Sequence, residues 1–186
     1  MKQVIQIRCK NNKKSQKVEI GSTLFDVFSS FDLKMTHGPV SARVNNKVEG
    51  MHYRVYNSKD VEFLDMNSAS GSRAYTRTLF FVLCKAVQDI YPNTDVVIDI
   101  PVSNGFYVDI RLGRPVVDED VNILRRRMQE IIDSKMPIRR FTVPTEEAIA
   151  LFQEKGDVEK VKLLRTSGSI YTTYYKIGEY VDYYYG

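Results

Sequence analysis

The sequence predicts an α+β fold in two parts, a β-rich first third followed by a larger mixed domain. Three observations predict it. Residues 3–66 hold short alternating strands, polar turns and a single helical stripe. Residues 72–91 form one long apolar helix ending at Pro92. Two strand-like runs, 95–100 and 106–111, follow it around Asn104-Gly105, a dipeptide that favours a tight hairpin.

The long helix is the element around which the second domain is predicted to form. Leu79, Phe80, Leu83, Val87 and Ile90 recur at three- and four-residue steps, and Phe81, Val82, Cys84 and Ala86 make the remaining surface apolar too. A helix apolar on nearly all sides is buried on nearly all sides. Ser70 or Ser72 is its expected cap.

In chain order, 3–9 and 16–20 read as a hairpin across Asn11–Lys14. Ser22 is expected to cap a helix with Leu24, Val27, Phe28 and Phe31 inward. Strands are expected at 40–44, 47–48, 53–56 and 60–64. The resulting β-β-α-β-β order is the plan of a ubiquitin-like β-grasp. Asp65–Gly71 is small and polar and reads as the linker, which places the domains at 1–66 and 67–186. Further on, Asp118-Glu-Asp caps a helix over 121–134, and 138–143 is a strand. Thr145 caps a helix with Ala148, Leu151 and Phe152 inward. Gly156 ends it, and Asp157 caps a continuation over 158–164. Residues 169–185 carry seven of the 12 tyrosines and suit two strands around Ile177-Gly178.

Composition narrows function. The chain has 186 residues, 43% of them hydrophobic and 27% charged, as in ordinary globular proteins. No apolar run approaches a membrane span and no signal-peptide core follows Lys2, so a cytoplasmic location is expected. Two cysteines, Cys9 and Cys84, suit buried reduced thiols rather than a disulfide framework or a zinc site. The net charge of +4 lies wholly in residues 1–66, which hold 11 Lys+Arg against 7 Asp+Glu. A basic module of that kind suits an RNA-facing appendage. Arg125-Arg126-Arg127 point about 100° apart on a helix and cannot share one patch; a solvated face and a phosphate contact are both open for them. Interleaved tyrosines near the end pack a sheet or stack on bases. His37 and His52, the only histidines, read as surface or turn residues.

"ARVNNKVEG" and "DVEFLD" resemble segments of the TGS domain that starts many threonyl-tRNA synthetases. The long helix, Tyr91-Pro92, the acidic strand and "NGFYVDI" resemble that family's second N-terminal domain, the editing domain. "EEAIALFQEKGDVEKVKLL" and "EYVDYYYG" resemble its late segment. The resemblance therefore covers essentially the whole chain. It implies a β-grasp domain followed by a threonyl/alanyl-tRNA synthetase editing-like α+β domain. The family carries His-x-x-x-His in the helix, a lysine, and Asp-x-Cys-x-Gly-x-x-His near the end. The matching positions are Arg77 and Phe81, Lys160, Asp182, and Tyr184 in place of the cysteine; the last histidine would lie beyond Gly186.

Hydrolysis of a mischarged aminoacyl ester needs a base titrating near neutrality, usually histidine. Arginine does not release its proton in the working range, phenylalanine has none to offer, and Asp182 alone is no zinc site. No catalytic residue and no metal ligand set is expected here. Arg73, Arg77, Lys160 and Asp182 are expected to line the former editing cleft, where two readings are open: they hold an anionic or nucleotide-like ligand, or Arg77 and Asp182 merely pair across a defunct cleft.

A second resemblance is to bacterial nucleoside kinases of the uridine-kinase type, which carry TGS and degenerate synthetase-like domains ahead of a P-loop kinase domain. "SRAYTRTLFFVLCKAV" and "YYYG" are similar to theirs. The chain holds no Gly-x-x-x-x-Gly-Lys-Ser/Thr, so ATP and Mg are expected only of a kinase domain beyond Gly186. The leading expectation is a non-catalytic binding or regulatory region of a uridine-kinase-like protein, partnered by its own kinase domain. The alternative is a threonyl-tRNA-synthetase-related module that binds tRNA or edits it. An aromatic strand leading straight to Gly186 suggests a domain that continues further.

Overall fold

The computed structural model describes residues 3–103 and 105–183. The fold is α+β, and the chain divides into two compact units, residues 1–79 and 80–186. The division falls inside a helix, downstream of the boundary expected after Met66.

In the first unit, β1 (Val4–Cys9) pairs antiparallel with β2 (Ser15–Glu19) and parallel with β5 (Lys59–Leu64). The strands β3 (Ser41–Val44) and β4 (Lys47–Glu49) complete the sheet in the order β2-β1-β5-β3-β4. With one helix, α1 (Leu24–Ser29), packed on this sheet, the arrangement is a β-grasp. Alternation along the strands puts Ile7, Cys9, Val18, Val61 and Phe63 on the helix side, where they meet Leu24, Val27 and Phe31. The cap of α1 is Thr23 and not Ser22. Its hydroxyl accepts the Asp26 N–H at 3.2 Å while Asp26 accepts the Thr23 N–H at 2.8 Å, a reciprocal pair that an acid at the third helical position makes possible. The strand expected at 53–56 is reduced to one bridge, Thr23 to Arg54, because this segment hydrogen-bonds to the start of α1.

The stretch read as a linker is turn and helix start. The Ser68 hydroxyl donates to the Asp65 carbonyl at 2.9 Å and accepts the Gly71 N–H at 3.0 Å, so Ser68 is the cap of α2 (Ala69–Ile90). Gly71 is required by this turn, since a Cβ there would lie 1.8 Å from the Asp65 carbonyl oxygen.

In the second unit the later part of α2 is buried on most sides, through Phe81, Val82, Cys84, Ala86 and Val87. Leu79, expected on the buried face, is 39% exposed. The hairpin of β6 (Val96–Val102) and β7 (Gly105–Ile110) lies against this helix through Val96, Ile110 and an edge-to-face contact of Phe80 with Phe106 at 4.8 Å. Asn104, the first turn residue expected, lies outside the described residues. The next helix, α3 (Asp118–Asp133), contributes Leu124 and Ile131 to the same core; Val121, expected inward, is 44% exposed.

Asp120 is a buried anchor rather than a solvent-facing capping acid. It takes both guanidinium nitrogens of Arg114 at 2.7 Å, the Tyr91 hydroxyl at 2.6 Å and the Val117 N–H at 3.0 Å. These donors, the Arg114 guanidinium first, hold its carboxyl well below the usual range. The network ties the end of α2, the segment after β7 and the start of α3 together. A second network assigns one residue of the arginine run. Arg127 binds Asp89 at 2.8 Å and Glu130 at 2.8 Å, and Asp89 also pairs with buried Lys85, while Arg125 and Arg126 stay exposed.

The remaining elements are β8 (Arg139–Pro144), α4 (Thr145–Glu154), α5 (Val158–Thr166), β9 (Tyr171–Ile177) and β10 (Tyr180–Asp182). The strands form an antiparallel sheet in the order β10-β9-β8. Pro144, not Thr145, occupies the cap of α4, and the Thr145 hydroxyl instead donates to the Ser169 carbonyl at 2.5 Å. Most of the late tyrosines in the described range pack the sheet: Tyr174 stacks on Phe141, and Tyr175 and Tyr180 join the α2 core.

Replacing Gly71 with Ala is expected to cost the first unit more than about 2 kcal/mol, because backbone must move to admit the methyl group. Gly50, with open space where a Cβ would sit and no positive φ, is the control. Urea unfolding followed by circular dichroism checks the pair: Gly71→Ala lowers the midpoint and Gly50→Ala leaves it nearly unchanged.

Candidate functional site

The end of the second unit assembles a polar centre on an aromatic wall. Phe81 and Cys84 are one turn apart on α2 and therefore share a face. The Phe81 ring lies 5.1 Å from the Tyr180 ring and 6.4 Å from Tyr175. Tyr180 and Asp182 alternate on β10, so both side chains leave the same face of the strand. The Tyr180 hydroxyl donates to Asp182 Oδ2 at 2.6 Å, and the Tyr183 N–H donates to Oδ1 at 2.6 Å.

Lys160 completes the centre from the first turn of α5. Its Nζ is 2.9 Å from Asp182 Oδ1 and 2.8 Å from Asp157 Oδ2, and it lies 5.7 Å from the centre of the Phe152 ring. Asp157 has two tasks, since its other oxygen accepts the Lys160 N–H and caps α5. Burial alone would lower the pKa of the Lys160 ammonium. The Asp182 carboxylate, helped by Asp157, outweighs burial and holds it above the ordinary lysine value. Cys84 is buried beside this centre. Burial first, then the Asp182 charge, pushes its thiol up to about 11 against the weaker pull of the Tyr180 hydroxyl.

Lys160 and Asp182, expected to share a cleft, are thus brought together as a direct ion pair. Arg73 and Arg77 are both exposed on the early part of α2, Arg73 donating to Ser70 at 3.3 Å. Phe81 is only 2% exposed and forms part of the packed core. Tyr184 lies outside the described residues. His37 and His52 are exposed turn residues of the first unit. Sequence reasoning missed Asp157 as the second carboxylate on Lys160 and Tyr180 as the donor to Asp182. Both were signalled by spacing, three residues across a helix start and two along a strand.

The chemistry of these groups is restricted. A lysine whose pKa is raised between two carboxylates is a poor proton acceptor at neutral pH. A thiol near 11 is not a thiolate nucleophile. Asp182 already accepts three donors. Among the described residues, no group of three His, Cys, Asp or Glu side chains is placed to hold a metal ion. Two depressions also occur: a polar one of about 390 Å³ beside Arg8 and Lys59 in the first unit, and an apolar one of about 460 Å³ between β7 and α3 in the second.

Fold and site together define a class: a β-grasp unit followed by an α+β unit whose polar centre is closed by an internal ion pair. Curated relatives of the chain include threonine–tRNA ligases, matched in their N-terminal regions. The ligase of Acetivibrio thermocellus is 31% identical over 163 residues, 87% of this chain and 26% of the ligase. That of Clostridium kluyveri is 29% identical over 181 residues, 96% of this chain and 28% of the ligase. That of Clostridioides difficile is 29% identical over 161 residues, 86% of this chain and 25% of the ligase. The chain spans about a quarter of the length of the curated relatives it matches. No family model matches it. No helix among the described residues is long and apolar enough to cross a membrane.

Lys160→Met is expected to destabilise the second unit by about 3 kcal/mol, because it strands the largely buried Asp182 carboxylate. Adding Asp182→Asn to that variant is expected to restore part of the loss. Urea unfolding of the single and double variants checks this; a double variant as unstable as the sum of the singles contradicts the pairing.

Proposed function

We propose that the chain is a threonyl-tRNA-synthetase-related module that binds tRNA and does not hydrolyse aminoacyl esters. The observation that carries this reading is the occupancy of the centre. Phe81 fills a position where the resemblance places histidine, and Lys160 and Asp182 are engaged with each other. The Lys160 ammonium, held above the ordinary lysine value by its carboxylate partners, does not release its proton near neutrality. The positive excess of residues 1–66 supports RNA as the partner, since phosphate contacts by Lys and Arg dominate such affinity. Arg73 and Arg77 are exposed and could meet an anionic ligand.

Direct measurement separates binding from hydrolysis. Transfer RNA is titrated into the protein at low and moderate salt, and release of serine from seryl-tRNA specific for threonine is followed in parallel. Binding that weakens steeply with salt, with release no faster than without protein, is expected. Release above that background, lost on replacing Lys160, overturns the reading, as does a failure to bind tRNA at low salt.

A second reading keeps the non-catalytic role and sets it in a uridine-kinase-like protein. The helix segment 72–87, with arginine and phenylalanine at the two histidine positions, favours it. In that setting the module acts on a nucleotide or on its own kinase domain, and ATP and Mg belong to that domain. Uridine phosphorylation by the full-length protein tests it; threonylation activity instead removes it.

A further inference from the structure

Among the described residues β7 pairs with β6 and with no other strand. The Arg111 N–H donates to the Asp95 carbonyl at 3.0 Å, which directs Arg111, and with it Asp109, toward β6. Alternation in an antiparallel ladder then turns the N–H and C=O of Val108 and the N–H of Ile110 outward. Such an edge is a template for another strand.

An apolar groove of about 460 Å³ adjoins β7. Val108 and Ile110 form one wall, Val121, Leu124 and Met128 of α3 the other, and Leu83 of α2 also lines it. Arg125 is the one charged residue of the lining. It is exposed and, unlike Arg114 and Arg127, has no ion-pair or hydrogen-bond partner among the described residues.

We propose that this groove is a peptide-docking site that receives an extended segment as an added strand on β7. Main-chain hydrogen bonds to Val108 would supply affinity, and alternate apolar side chains would enter the groove. A carboxylate on the segment would meet Arg125, forming the charge-assisted pair that Arg125 lacks. The charge pattern selects this occupant. One cation in an apolar lining suits a single carboxylate, whereas a nucleic-acid backbone presents a charge at every step and calls for several cations.

The test is selection of random peptides displayed on phage against the whole chain, followed by synthesis of the enriched sequences. Enrichment of alternating apolar peptides carrying Asp or Glu is expected, with amide shifts at Val108 on binding. Val121→Lys, at an exposed position, is expected to abolish binding. Arg125→Glu is expected to weaken an acidic peptide at least about tenfold and, when used as bait, to select Lys or Arg in its place. No enrichment over an unrelated protein overturns the proposal, as does peptide binding indifferent to both substitutions. Self-association abolished by Val121→Lys would assign the groove to a second copy and also overturns it.

Discussion

Lys160 stands between two carboxylates, 2.8 Å from Asp157 and 2.9 Å from Asp182, and the character of the second unit depends on this contact. It joins the first turn of α5 to β10, the edge strand of a three-stranded sheet. The Tyr180 hydroxyl and the Tyr183 N–H fill further acceptor capacity of Asp182, and Phe81 covers Tyr180. A buried carboxylate so satisfied is stable where it is and has little to offer a substrate. The pair therefore links α5 to β10 and at the same time occupies both of its charged groups.

The chain is similar to threonine–tRNA ligases along most of its own length. Its scaffold consists of the alternating strands of the β-grasp in the first unit and, in the second, the buried half of α2, the hairpin on it and the helices α4 and α5. Scaffold positions are set by burial and turn geometry, which tolerate exchanges among apolar residues. Phe81 and Cys84 instead adjoin the Lys160–Asp182 centre, through the Tyr180 ring and the Asp182 charge.

Much of the fold was legible because it rests on local rules. Periodicity found α2, alternation found the hairpin, and Gly156-Asp157 marked the break between α4 and α5. What escaped depends on distant partners. Asp120 reads as one more acid at a helix start until Arg114 and Tyr91 are seen to close on it. Ser22 and Thr23 are equivalent caps in sequence, and the reciprocal bond from Asp26 chooses between them. Asp65–Gly71 has the composition of a linker, yet the Asp65 carbonyl packs where only glycine leaves room. In the site, Lys160 and Asp182 were singled out by the resemblance. Their mutual pairing was not, because it brings residues 160 and 182 together across two different elements.

The central claim is that the site is filled by its own side chains, and reaction of the Cys84 thiol tests it most directly. A Cys9→Ala variant leaves Cys84 as the one thiol, and iodoacetamide at pH 8 reports its access and ionisation. With Cys84 buried among Phe81, Tyr180 and Asp182 and its pKa near 11, labelling is expected only when urea unfolds the unit. Labelling of the folded protein at the rate of a free thiol would mean an open, ionising site and would contradict the account.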